Sequence, residues 1–196
     1  MADPIRPVPL ESAGVRLEPL DEAHRESLRA AGDAPEIWTH IPYVARSEGF
    51  DPWFDGSLRI SGGGAEAVWA VRAPDGVVVG STRYLNIDAA NKRLEIGSTW
   101  YAPRVWATRI NPACKLALMR HAFETLGMNR VEYKTDNLNT RSQAAIAKLG
   151  AVKEGVFRAH VIRRDGTLRD TVYFSIIAPE WPAVRHRLEA RLKEHA

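Results

Sequence analysis

KRLEIGSTWYAPRVWATRINPACKLALMRHAFETLG, residues 92–127, changes its period partway along. Residues 92–101 read as a strand. Leu116, Met119, Phe123 and Leu126 then recur at helical spacing, and Gly127 ends the stripe. Downstream, Val131, Tyr133 and Thr135 alternate with charges in a strand over 129–136, followed by a helix from Asn139 to Leu149 that Gly150 closes. Residues 151–163 and 167–177 pair through Arg164-Asp165-Gly166, and a last helix carries Trp181, Val184, Leu188 and Leu192 in register. Upstream, residues 66–72 and 77–87 make a hairpin through Pro74-Asp75-Gly76. Two helices precede it: one capped by Asp21 and running to Gly32, the other from Ser47 into Ser61-Gly62-Gly63-Gly64. The order α α β β β α β α β β α, with alternation in the middle and hairpins at both ends, requires a mixed sheet and an α/β or α+β class.

The chain has 196 residues, 45% hydrophobic and 26% charged, which suits one domain with a real core and excludes disorder of the whole. Residues 1–14, with three prolines and no periodicity, read as a flexible arm, and residues 15–196 as a single domain. Twenty-seven Lys and Arg against 24 Asp and Glu leave +3, too balanced to point to nucleic acid. No run approaches the ~20 apolar residues that span a bilayer, and the N-terminus lacks the apolar core of an export signal. The lone Cys114 excludes an internal disulfide framework and a cysteine-rich zinc site. An intracellular, cytoplasmic protein without membrane or nucleic-acid partners is expected.

Three places carry chemistry. The loop from Tyr101 to Lys115 enters a helix, whose free N–H groups and positive dipole end make an anion site. Asn111 fits the cap and Pro112 the first helical position, with Arg104, Arg109 and Lys115 adding charge. A diphosphate-bearing ligand fits there, and so does an ordinary capped helix with solvated arginines. In the 139–149 helix, Ser142 shares a face with Ala145, Ile146 and Leu149, which turns its hydroxyl inward either as a proton donor or bonded back to the chain. Glu95, between Leu94 and Ile96 and two residues before Gly97, is a mid-strand carboxylate that serves either as a general base or in a salt bridge with Arg93 or Arg130. The six histidines show no metal spacing, and Cys114 reads as a small packed residue.

Taken together, Glu95-Ile-Gly97, the 104–126 loop and helix, Val131-Glu-Tyr-Lys-Thr-Asp136, Asn139-Thr-Arg-Ser142, Leu149-Gly150, Arg169-Asp170 and Glu180-Trp181-Pro182 resemble the GNAT superfamily of N-acetyltransferases. Within it they are similar to the branch of the ribosomal-protein N-terminal acetyltransferases RimJ and RimL. The resemblance implies a bent sheet whose central strands, 92–101 and 129–136, splay apart and hold acetyl-CoA. Pantetheine would pair near Trp100, Tyr101 and Ala102, and pyrophosphate would rest on the loop Trp106, Ala107, Thr108, Arg109, Ile110 and Asn111. It also implies that Asn139 holds the pantetheine arm and that Ser142 protonates the departing thiolate. Arg109 and Asn111 occupy positions that are glycine-type in the broad family, so backbone approaches phosphate less closely and the Arg109 side chain takes over.

The implied activity is direct acetyl transfer to a primary amine, either a protein N-terminus or a small amine. An amine attacks only when neutral, which calls for a base, Glu95. The oxyanion needs an N–H donor, which the strand around Ser98 to Trp100 can supply. Trp38, Tyr43 and His160 are the candidate walls of the acceptor site. The alternative is a non-catalytic protein of the same fold that binds CoA or another ligand. No metal is implied, and a homodimer is compatible with the resemblance.

Overall fold

Strands β1 (Leu10–Ser12), β2 (Val15–Pro19), β3 (Ala67–Arg72), β4 (Val78–Asp88), β5 (Arg93–Tyr101), β6 (Arg130–Asp136), β7 (Val152–Ile162) and β8 (Leu168–Ile177) share one sheet, ordered β1-β2-β3-β4-β5-β6-β8-β7. The computed structural model describes residues 4–194. Every neighbouring pair is antiparallel except β5 with β6, so the sheet is mixed as expected.

β1 and β2 correct the expectation of a loose arm over residues 1–14, of which 1–3 lie outside the described residues. Leu10 pairs with Leu17 and Ser12 with Val15 across Ala13-Gly14, whose φ values of 49° and 75° give the doubly left-handed turn that suits a two-residue hairpin. Alanine rarely adopts that conformation, so nothing local announces the turn. The arm before it is also tied down: Trp69 Nε1 donates to the Val8 carbonyl at 2.7 Å and Arg6 to that of Gly62 at 2.9 Å. Val15 and Leu17 are fully buried while Arg16 is exposed, a period-two pattern too short to stand out in the sequence.

Helices α3 (Ile110–Arg120) and α5 (Trp181–Glu194) cover one face, where Leu116, Met119, Trp181, Val184 and Leu188 meet Leu94, Val131, Phe174 and Ile176. Helices α1 (Arg25–Ala31) and α2 (Phe50–Gly62) cover the other face only over β3 to β5, where Leu28, Phe50 and Phe54 pack on Val68, Ala70 and Trp100. Over β6, β8 and β7 that second face carries no helix among the described residues. Glu132, Lys134, Tyr173 and Phe157 line a hollow there instead.

β5 and β6 pair only at Arg93–Arg130, Leu94–Val131 and Glu95–Glu132, after which they diverge. β5 is steered away by a bulge against β4, where Gly97 faces Arg83 and Trp100 faces Ser81, leaving Ser98 and Thr99 opposite Thr82 alone. Ser98 takes φ 46°, the left-handed turn of backbone that such a bulge uses. Helix α4 (Thr140–Ala147) follows β6 and closes one side of the opening.

Candidate active site

Where β5 and β6 part, a cavity of about 520 Å³ runs through the sheet. Its α3/α4 side is lined by Ala107, Asn111, Asn139, Arg141, Ser142 and Ile146. Its other side opens on the uncovered half of the sheet, past Glu95, Lys134, Asn86, His160, Arg169 and Thr171.

Glu95 sits at the apex, 6% exposed. Asn86 Nδ2 donates to its Oε2 at 2.7 Å, and Lys134 Nζ lies 2.9 Å from the same oxygen. Lys134 is thus the ion-pair partner, in place of the expected Arg93 or Arg130; Arg130 is held by Glu132 and Glu154. Burial alone would lower the Lys134 pKa, but the Glu95 carboxylate outweighs it and the net shift is upward, so the ammonium persists beside Glu95. Gly97 leaves room for this carboxylate: a Cβ there would stand 2.9 Å from Glu95 Oε1.

On the α3 side, the helix starts two residues earlier than its sequence suggests. Ile110 is its first residue, and the Ile110 N–H is taken by Thr108 Oγ1 at 3.3 Å, so Asn111 lies within the first turn rather than at the cap. Pro112 in the same turn removes a donor that has no partner in any helix. Among the described residues no acceptor takes the N–H groups of Ala107, Arg109 or Asn111, and Ala107 stands at φ 61°. Free N–H groups at a helix N-terminus fit a phosphate-bearing ligand. Arg141 stacks on Trp106, its Cζ 3.9 Å from the ring centroid, and places a second cation beside the loop.

Asn139 caps α4, its Oδ1 accepting from the Ser142 N–H at 3.0 Å. The cap orients the first turn that carries Arg141 and Ser142 into the cavity. Asn139→Ala is expected to cost about 1 kcal/mol and to lower the melting temperature by about 2–4 °C, measurable by calorimetry.

Of the remaining expected residues, Trp100, Tyr101, Trp106 and His160 line the cavity. Ala102 does not, and donates its N–H to Val79 on the β4 side. The Tyr101 carbonyl is occupied by Trp106 Nε1 at 2.8 Å. Thr108, Arg109 and Ile110 are not among the residues that line it. Trp38 and Tyr43 are not walls of the acceptor side. Trp38 is 2% exposed, donates to Gly32, and packs on Tyr43 and Trp100. The wall comes from the same loop one step on, through His40, Ile41 and Pro42, because apolar rings bury more surface by turning inward. Arg104 pairs with Asp75.

Lys115 is also placed differently from expectation. It is 5% exposed, its Nζ donates to Thr99 Oγ1 at 2.6 Å, and burial pushes its pKa down to about 8. Cys114 is fully buried, and burial raises its thiol pKa. Lys134, Asn86, Arg169 and Lys115 were not singled out for these places. The signal for Lys134 is present, since Arg130, Glu132, Lys134 and Asp136 alternate with Val131, Tyr133 and Thr135 along β6. No group of three or more potential metal ligands occurs among the described residues, and none of their helices is long and apolar enough to cross a membrane.

Known proteins share this fold. A crystal structure of a GCN5-related N-acetyltransferase from Brucella melitensis superposes with a TM-score of 0.89 at 30% identity, over 97% of this chain and 87% of that one. Mycobacterium smegmatis RimJ in complex with CoA-disulfide shares the fold, with a TM-score of 0.79 at 23% identity over 96% and 95% of the two chains. YdaF of Bacillus subtilis (strain 168), provisionally named a ribosomal N-acetyltransferase, is 33% identical over 107 residues, 55% of this chain and 57% of YdaF. The chain thus spans a little over half the length of that curated relative. The model of the acetyltransferase (GNAT) domain matches residues 15–152, over the strands and loop that build the cavity. The chain belongs to the GNAT acetyltransferase family.

Proposed function

We propose that this protein transfers the acetyl group of acetyl-CoA directly to a primary amine. The observation that carries the reading is the cavity through the sheet, with free helix N-terminal N–H groups on one side and a buried carboxylate at its apex. The bound thioester supplies an activated acyl carbon.

The protein's own residues do the rest. The Ala107, Arg109 and Asn111 N–H groups, with the Arg141 side chain, suit the pyrophosphate. Ser98 and Thr99 stand outside the regular β4–β5 register, so their N–H groups are candidates to meet charge developing on a carbonyl oxygen. Glu95 accepts the amine proton, directly or through water, from the uncovered side of the sheet. Ser142, partly buried at the cavity, is the donor to the departing thiolate. Cys114 is sealed in the core, so a covalent acetyl-enzyme finds no nucleophile there.

The test is a thermal-shift titration with acetyl-CoA. At a hundredfold excess over Kd, binding to the folded state alone adds about 2.7 kcal/mol, a rise of roughly 5–10 °C for a chain of this length. A rise together with free CoA thiol released on adding an amine supports transfer. A rise without release from any amine favours the non-catalytic CoA-binding alternative. No rise at millimolar ligand overturns both.

A further inference from the structure

The uncovered side of the cavity holds a guanidinium that makes no ion pair among the described residues. Arg169, on β8, lines the cavity, its Nε is buried without a hydrogen-bond partner, and no carboxylate lies within ion-pair distance among the described residues. Burial lowers its pKa from the usual arginine value, but it remains a cation at neutral pH.

The nearest acid by field is Asp136, and it is already saturated. Arg163 grips it in bidentate fashion at 2.7 and 2.8 Å, and the Leu138 N–H adds a third bond at 2.9 Å. Glu95 is matched by Lys134 and Asn86. Glu36, exposed at the mouth, is the remaining carboxylate on the lining. Arg164 at the β7–β8 tip donates to the Trp38 carbonyl at 2.7 Å, which draws the hairpin toward the loop carrying Glu36 and His40 and narrows this side.

An unpaired half-buried guanidinium is costly unless a ligand satisfies it, and its fork matches a carboxylate. Building on the acetyl-transfer reading, we infer that the acceptor amine carries a carboxylate, which Arg169 binds while the amine reaches Glu95. Amino acids, and peptides acidic near their N-terminus, fit this description. A polyamine does not, because it would place cations beside Arg169 and Lys134 and find only Glu36 uncompensated.

Glycine, β-alanine, 4-aminobutyrate and 6-aminohexanoate, their matched n-alkylamines and spermidine test this in two ways: steady-state transfer with acetyl-CoA, and calorimetric binding to the full chain with and without CoA. For at least one chain length the amino acid is expected to show a KM or Kd at least tenfold below that of its alkylamine. In Arg169→Gln that advantage falls below twofold, through a higher KM or Kd for the amino acid rather than a lower one for the alkylamine, and Arg169→Lys regains part of it. Unchanged melting temperatures show that the variants are folded. An advantage that survives Arg169→Gln, the absence of any advantage, or a preference for spermidine overturns the inference. Arg169-dependent carboxylate binding without transfer to any amine leaves the carboxylate site standing and overturns the transfer reading alone.

Discussion

Glu95→Gln is expected to lower turnover by about 10²- to 10⁴-fold while leaving acetyl-CoA affinity within about twofold of the parent. The range is that of a positioned general base, and no other side chain at the apex can replace it. Glutamine keeps the shape and can still accept from Asn86, so the apex stays packed, but it cannot take a proton at neutral pH. Its amide also leaves Lys134 with Glu132 Oε2, 3.9 Å away, as its remaining counter-charge. Lys134 is 19% exposed at the side chain and can turn toward water, which limits the structural penalty. Calorimetric binding of acetyl-CoA separates the two effects, because Glu95 lies across the sheet from the α3 N-terminus. Turnover within threefold of the parent would reduce Glu95 to an ion-pair partner.

The second large effect is on stability. Lys115 is buried with a pKa of about 8, against about 10.4 in an unfolded chain. Below pH 8 both states carry the proton, and holding the ammonium among Thr99, Thr82 and the Tyr133 ring costs on the order of 3 kcal/mol. Between pH 8 and about 10.4 the folded state releases its proton while the unfolded state retains it. The unfolded chain then binds more protons, so this group makes stability rise with pH across that window. Cys114 works in the opposite direction, since burial raises its pKa. Because Lys115 and the Cys114 thiol act on each other, the parent and a Lys115→Met variant are both compared in a Cys114→Ala background, which removes that contribution. Relative to Lys115→Met, the parent is expected to gain on the order of 3 kcal/mol from pH 7.5 to 10.5, read from urea unfolding at each pH. Parallel curves would place the ammonium in contact with water.

Most elements were legible because their signals are local. The stripe Leu116, Met119, Phe123 and Leu126, the glycine stops at Gly127 and Gly150, and the two Asp-Gly turns each act within a few residues. Strands β1 and β2 escaped because three and five residues carry too little periodicity, and their turn uses an alanine at positive φ. At the site, Glu95 and Ser142 are legible because a carboxylate or hydroxyl on an inward face stands out from its apolar neighbours, and the structure brings both to one cavity. Trp38 and Tyr43 were misplaced because an aromatic-rich loop reads alike whether its rings face ligand or core. Their inward turn depends on Trp100, some sixty residues away.

The order of residues thus determined the mixed sheet, the helix stops and the identity of the apex carboxylate, because hydrophobic period, turn chemistry and residue type are properties of neighbours along the chain. Only the tertiary structure decided that β5 and β6 part after Glu95, that Lys134 rather than an arginine neutralises it, and that Arg163 claims Asp136 and leaves Arg169 free. Those outcomes depend on which charges and edges meet across strands distant in sequence, where burial makes each pairing exclusive.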